Sequence, residues 1–498
     1  MLIFVHRLFD TRLIFKSTMG KKKSVPVKKV SQTAYAGKAF EKVPDEEPVS
    51  AGGGGIGIFH LLIAVGILAA GIALAPKYLN KETKGAGGDG VASPAAAGRA
   101  LDAADEKLPL HFACDDENLS QFLHDEPTVG MHIVCFTRSE QGMQYSYYRG
   151  MHDTFHGTVD ASEATTQSNA AANVAVLKKS LEENLKLPLP GPLQQPYALF
   201  TPRGERLWGA LDELTSTEAI ADLLQSEMVI VMEGGSWTWP GVRIGFNRTI
   251  DLYSVMPGPP GTTWRADEKY RTAEIETLSL KPLVVSVKGF IGDDECDYIQ
   301  EEAGPSMAYS GVSLMDKDKG RPASDWRTSQ STFLHARQDT PILYEIEQRT
   351  ASLTRIPRQN QEDVQVLRYG YTEKYDAHHD FFNPELYQAS PGTLQLIENG
   401  RRNRQATVFW YLSDVAKGGE TVFPRFNGAP QPYDFKRCDV GLKVKPEKGK
   451  VIIFYDLLAN GQMDELSLHG GCPVEEGIKW AANKWVWNSA MRYVSALE

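Results

Sequence analysis

A chain of 498 residues is too long for one ordinary core, so two or more folded units with appendages are expected. Its formal net charge of -10, with no long basic stripe, excludes nucleic-acid binding, which needs clustered Lys and Arg to neutralise phosphates. The cysteines Cys114, Cys135, Cys296, Cys438 and Cys472 form no CxxC or Cys/His zinc spacing; they exclude a structural zinc site, permit one or two bridges, and leave at least one thiol unpaired.

In chain order, residues 1–55 form a basic tail with ten Lys/Arg against five Asp/Glu. Within it, Met19-Gly20-Lys21-Lys22-Lys23-Ser24 would be a myristoylation signal only if translation began at Met19. Residues 56–75, IGIFHLLIAVGILAAGIALA, are uncharged throughout. At about 1.5 Å per residue they are long enough for one transmembrane helix. Residues 76–110 balance five basic against five acidic side chains, so the tail is expected to be cytosolic and the remainder luminal. The protein is then a signal-anchored, single-pass type II membrane protein of the endoplasmic reticulum or Golgi. The sequons at Asn118 and Asn247 are permitted there.

Residues 76–105, rich in Gly and Ala without hydrophobic period, read as a stalk. From 106 to 256 the pattern is that of an α/β domain: a strand-like run at 132–136, a helical stretch at 173–185 and a strand at 197–200. Its end, PYALFTPRGERLWGALDELTSTEAIADLLQ, resembles the close of a thioredoxin-like domain, which without CxxC has no redox role; an unclassified α/β spacer is the other reading. Substrate binding and homodimer formation are the two roles open to this domain. A turn cluster at 257–261 marks its boundary.

The next unit spans 280–492. It opens with expected helices at 293–303 and at 341–354, the second beginning Thr340-Pro341, a capping residue followed by Pro at the first helical position. After Asp363 the apolar runs VQVLRY, ATVFWYL, GLKVKP, KVIIFY and KWVWN alternate with turn residues, which predicts an all-β barrel or double sheet with helices outside. The overall class is therefore α+β.

Within Tyr375–Phe382, His378 and Asp380 are two residues apart, so an extended backbone sends both side chains to one face. His469 follows 91 residues later in SLHGGCP, at the start of a late strand. Two imidazoles and a carboxylate occupy one face of an octahedral ion and leave three positions open, the arrangement suited to non-haem Fe(II) activating O₂. A lone His-X-Asp means little. Lys479, ten residues beyond His469, adds the fixed cation needed by the far carboxylate of a keto-acid co-substrate. His379 points away from the Asp380 face and is expected not to bind metal. Trp485 shares the strand parity of Lys479 and should face the barrel mouth or fill the core. Cys438 and Cys472 either bridge neighbouring strands, bracing the His469 loop, or stay free.

The blocks QVLRYGYTEKYDAHHDFF, ATVFWYLSDVAKGGETVFP, GLKVKPEKGKVIIFY and SLHGGCPVEEGIKWAANKWVWN, in that order, resemble the prolyl 4-hydroxylase family. They are most similar to its membrane-anchored luminal enzymes of plant and algal type, relatives of the collagen prolyl 4-hydroxylase catalytic subunit. The resemblance implies a double-stranded β-helix (jelly roll) and Fe(II) held by His378, Asp380 and His469. It assigns Lys479, Tyr369 and Thr421 to the distal carboxylate of 2-oxoglutarate, and Trp485, Arg327 and Glu362 to the neighbourhood of the peptide. For Arg327 and Glu362 the simpler reading is an ion pair. The implied reaction hydroxylates peptidyl proline at C4, consuming O₂ and releasing succinate and CO₂, with L-ascorbate rescuing oxidised iron. Lysyl hydroxylation and a non-catalytic binding protein are the rival readings. The expected partner is an extended proline-rich peptide, covered by segments 304–326 and 383–403; the connection 388–403 is longer than in compact family members.

Overall fold

The computed structural model describes residues 113–123, 128–139, 142–149, 153–159, 170–188, 192, 194–211, 227–252, 272–337 and 340–491. The tail, the apolar run 56–75, the stalk and the turn cluster 257–261 lie outside them. Among the described residues no helix is long and apolar enough to cross a membrane.

Six strands come first: β1 (Met131–Ser139), β2 (Gly142–Arg149), β3 (Asp153–Val159), β4 (Ala198–Phe200), β5 (Arg206–Gly209) and β6 (Met228–Met232). They form one sheet in the order β3-β2-β1-β6-β4-β5, and every pairing is antiparallel. The helix Ala170–Leu185 crosses between β3 and β4. The expected strand at 132–136 and helix at 173–185 are both present. The thioredoxin likeness is corrected: such a unit has parallel strands at its centre, and here β1 and β6, the middle of the sheet, run antiparallel.

A nine-stranded antiparallel sheet follows, built from β7 (Asn247–Asp251), β8 (Thr272–Leu280), β9 (Leu283–Lys288), β10 (Ala308–Tyr309), β11 (Gln330–Leu334) and β12 (Val364–Tyr369) with three later strands. After β13 (Tyr375–His378) come β14 (Arg404–Tyr411), β15 (Lys417–Gly418), β16 (Thr421–Phe423), β17 (Leu442–Val444), β18 (Val451–Tyr455), β19 (His469–Gly471), β20 (Val474–Glu476) and β21 (Lys479–Trp487). The large sheet runs β10-β11-β12-β21-β14-β18-β9-β8-β7, faced by the smaller sheet β13-β19-β16-β17. These two sheets are the jelly roll.

The alternation along β14 shows how the sequence sets the layers. Thr407, Phe409 and Tyr411 point into the barrel, where Phe409 and Tyr411 pack with Leu367, Phe423, Ile452 and Phe454. Ala406, Val408 and Trp410 point outward, onto a core shared with the helices Asp293–Ala303 and Pro341–Thr354. Both faces are covered, so the strand reads as a continuous apolar run. The helix boundaries coincide with the expected ones.

The large sheet begins upstream of residue 280, with β7 pairing to β8. Trp239 ties this upstream region to the barrel: its indole N–H donates to the Leu353 carbonyl (2.7 Å), and its backbone N–H donates to the Tyr455 hydroxyl (3.0 Å). Gly130 at φ +85° and Gly234 pack so tightly on Asn460 and Gly461 that a Cβ on either would lie 2.3 or 2.5 Å from backbone nitrogen. Asn118 donates its side-chain amide to the Ala113 carbonyl, while Asn247 is exposed on the edge strand β7.

Candidate metal centre and co-substrate pocket

Antiparallel pairing of β13 with β19 sets His378 directly opposite His469. The strand β13 ends at His378, and Asp380 sits just beyond it on a bend rather than on an extended strand. What holds Asp380 is a set of polar contacts behind it. Arg404 donates to its carbonyl (3.3 Å), and the Asn403 side-chain amide both donates to and accepts from the Phe382 backbone (2.8 Å each).

His378 Nε2 lies 3.5 Å from Asp380 Oδ1, and His469 Nε2 lies 3.6 Å from Asp380 Oδ2. All three ligand atoms fall within 4.8 Å of one another. Each imidazole donates through Nδ1 to a backbone carbonyl, His378 to Asp376 (2.9 Å) and His469 to Ser467 (3.0 Å). That bond leaves the Nε2 lone pairs turned towards Asp380, as metal ligation requires. Burial lowers the His469 pKa to about 4, so this ring is neutral at pH 7. Burial alone would raise the Asp380 carboxyl, but His469 and His378 outweigh it and hold the group well below the usual range. The donor set therefore fits Fe(II): two imidazoles with Nε2 turned inward and a carboxylate. His378 is the most exposed of the three, at 23% against 5% for Asp380, so the site opens to solvent on its side.

His379 turns out of this cluster. Its Nε2 lies 3.1 Å from the Glu465 carbonyl oxygen and its ring stacks on Phe381.

Tyr369 and Lys479 are cross-strand partners on β12 and β21. Lys479 is almost completely buried, with Nζ 5.3 Å from the centres of the Tyr369 and Phe409 rings and 5.6 Å from that of Tyr411. Burial in this aromatic box lowers its pKa to about 7. Thr421 is buried and accepts a hydrogen bond from the Tyr411 hydroxyl (2.7 Å). Tyr411 was not picked out from the sequence, although its parity with Thr407 and Phe409 in ATVFWYL directs it into the barrel.

Trp485 packs against the metal cluster. It is 7% exposed, its indole N–H donates to Asp380 Oδ2 (2.9 Å), and the Arg404 guanidinium lies 3.6 Å over its ring. Glu362 forms a two-pronged ion pair with Arg404 (2.7 and 3.0 Å) and accepts from the Trp487 indole, which is the simpler of its two readings. Arg327 is buried, donates to the Ser329 hydroxyl and sits 4.7 Å over the Tyr375 ring, which itself stacks on His378 at 3.7 Å. Cys438 and Cys472 are joined by a disulfide of 2.06 Å. Cys114 and Cys135 form a second bridge, and Cys296 is free and buried. Segments 304–326 and 383–403 are pinned together, Asp316 accepting from the Ala389 N–H and the Ser390 hydroxyl.

Residues 364–487 match the model of the 2OG-Fe(II) oxygenase superfamily. A probable prolyl 4-hydroxylase 9 of Arabidopsis thaliana is 38% identical over 231 residues, 46% of this chain and 76% of the relative. Prolyl 4-hydroxylase 2 of the same plant is 40% identical over 43% of this chain and 70% of the relative. The solved viral collagen prolyl hydroxylase of Paramecium bursaria Chlorella virus-1, in its 2OG complex, aligns at 25% identity and TM-score 0.29, over 41% of this chain and 95% of that one. On the extent and identity of these matches to the plant enzymes, the chain belongs to the prolyl 4-hydroxylase family.

Proposed function

We propose that the protein hydroxylates peptidyl proline at C4, as a procollagen-proline-type prolyl 4-hydroxylase, with Fe(II) held by His378, Asp380 and His469. The observation that carries this reading is the convergence of two Nε2 lone pairs and one carboxylate within 4.8 Å, beside a buried lysine in an aromatic box that makes no ion pair among the described residues. When bound, Fe(II) and 2-oxoglutarate activate O₂, one oxygen atom ending in succinate as CO₂ is lost and the other in the hydroxyl of proline.

The chain's own residues bind, orient and exclude water. Lys479 supplies the charge for the distal carboxylate, and Thr421 and Tyr369 supply hydroxyls beside it. Phe454, with its ring 4.3 Å from that of His469, and Phe423 line the buried side of the cluster and leave entry to the His378 side. An extended proline-rich peptide, already low in conformational entropy, would enter there beneath the paired segments 304–326 and 383–403. L-Ascorbate keeps the iron reduced.

We also read the protein as luminal, anchored by residues 56–75 in the endoplasmic reticulum or Golgi membrane, which the flanking charges support. The test is a panel of proline-repeat and collagen-like peptides incubated with Fe(II) and 2-oxoglutarate, followed by amino-acid analysis. Hydroxyproline with matching succinate is expected. Hydroxylysine, or no succinate with any peptide, overturns the reading.

A further inference from the structure

A second carboxyl group lies behind the metal cluster. Asp456 follows β18 and is completely buried. Its Oδ2 is 3.1 Å from the Thr407 hydroxyl, and that same hydroxyl is 2.7 Å from Asp380 Oδ2. Asp456 Oδ1 finds no donor among the described residues. Arg404, the cation whose charge acts on it, is committed to Glu362 and to the Asp380 carbonyl.

The count of protons decides the charge of this group. Three oxygens stand in a row, Asp380 Oδ2, Thr407 Oγ1 and Asp456 Oδ2, and two hydrogen bonds between them need two protons. Threonine brings one. Asp380 Oδ2 already accepts from the Trp485 indole, and a carboxylate that ligates a metal has no proton to donate. The Thr407 proton therefore points to Asp380, and Thr407 Oγ1 must accept from Asp456.

We infer that Asp456 is a neutral carboxylic acid that donates to Thr407 and so fixes Thr407 as a donor to the iron-ligating carboxylate of Asp380. It is a positioning residue, acting on the metal through Thr407. The electrostatics agree: burial first, then the Asp380 charge and Asp464, raise its carboxyl well above the ordinary range against the opposing pull of Arg404 and the Thr407 hydroxyl. A neutral Oδ1 without a partner is also far cheaper to bury than an ionised one.

The inference rests on the iron-triad reading, and the test separates the two. In the full chain at pH 8, the infrared difference between wild type and Asp456→Asn is expected to contain the C=O stretch of a protonated carboxyl lost in the variant. If only an ionised carboxylate is lost, the inference falls. This reading needs no metal. Next, Co(II) is titrated into each protein and followed by its visible absorption. Asp456→Asn keeps a neutral donor and should bind as wild type does, whereas Asp456→Leu and Thr407→Val should bind 10- to 100-fold more weakly, about the cost of losing an outer-shell partner. Equal affinity for all, or equal loss in Asp456→Asn and Asp456→Leu, overturns it. Failure of wild type itself to bind Co(II) instead refutes the triad, while the infrared band still reports the Asp456 proton.

Discussion

Lys479→Met tests whether the aromatic box is a carboxylate site. The substitution keeps the length and apolar contacts of the stem among Tyr369, Phe409 and Tyr411 but removes the charge. A carboxylate brought into this buried box without a cation is an unpaired buried charge, at about 3–5 kcal/mol. That corresponds to roughly 150- to 5,000-fold in the KM for 2-oxoglutarate. Binding of Co(II) should not change, because Lys479 touches no member of the triad. The pH dependence gives a second measurement with a fixed sign. Burial lowers the Lys479 pKa to about 7, below its value in the unfolded chain. The folded, ligand-free protein thus holds fewer protons than the unfolded chain between about 7 and the unfolded pKa, so its stability rises with pH across that window. The charge needed by 2-oxoglutarate is lost over the same range. Its dissociation constant, measured by calorimetry, should therefore weaken about tenfold per pH unit above pH 7, the limiting slope for one required proton. A KM in Lys479→Met within tenfold of wild type, or a dissociation constant flat from pH 6 to 9, refutes the assignment.

Trp485→Phe keeps the ring beneath Arg404 but removes the donor to Asp380 Oδ2; Co(II) affinity should fall by about tenfold, and an unchanged affinity would return Trp485 to a filler of the core. Replacing Cys438 and Cys472 by Ser reopens a loop with sequence separation 34, which should cost about 4 kcal/mol of stability in denaturant titration. A chain starting at residue 280 loses β7, β8 and Trp239 from the sheet and core; Trp239, Ile250, Leu252 and Ile275, at about 1.5–3 kcal/mol each, carry a large share of a typical domain's 5–15 kcal/mol. That fragment should show no cooperative thermal transition, and a wild-type melt would show residues 106–256 to be dispensable.

The elements that were legible in the sequence are those set by local chemistry. Thr340-Pro341 fixes a helix start, and VQVLRY coincides with β12, because neither depends on distant neighbours. The triad was legible for the same reason: His378 and Asp380 are close in sequence, and Lys479 has a fixed offset from His469. What stayed hidden depends on strand register. Thr407 pairs with both Phe454 and Trp485, and only that double pairing brings a hydroxyl, an indole and Asp456 together behind Asp380. Along the chain, Asp456 is an aspartate at the end of an apolar run, indistinguishable from a turn residue. Trp485 was assigned to the correct face, but parity does not say whether an indole N–H meets a peptide or a carboxylate. The thioredoxin likeness failed for a related reason, since the direction of β1 relative to β6 is a non-local property absent from a strand-turn-strand pattern.

These contacts also give residues 106–256 a physical role. The loop that leads from Asp456 to His469 is held at its middle by Gly234, whose N–H donates to the Ala459 carbonyl at 2.8 Å, and by the close approach of Gly130 to Asn460. At its ends the loop carries the buried acid behind Asp380 and one of the imidazoles. The disulfide from Cys438, in the loop before β17, to Cys472, directly after β19, restrains the far side of His469. A metal site needs its ligands held to a fraction of an ångström, so restraint on a loop between two functional side chains bears directly on the site. The upstream sheet therefore bears on the chemistry without touching it: it helps to hold the connection between Asp456 and His469, on which the proton behind Asp380 depends.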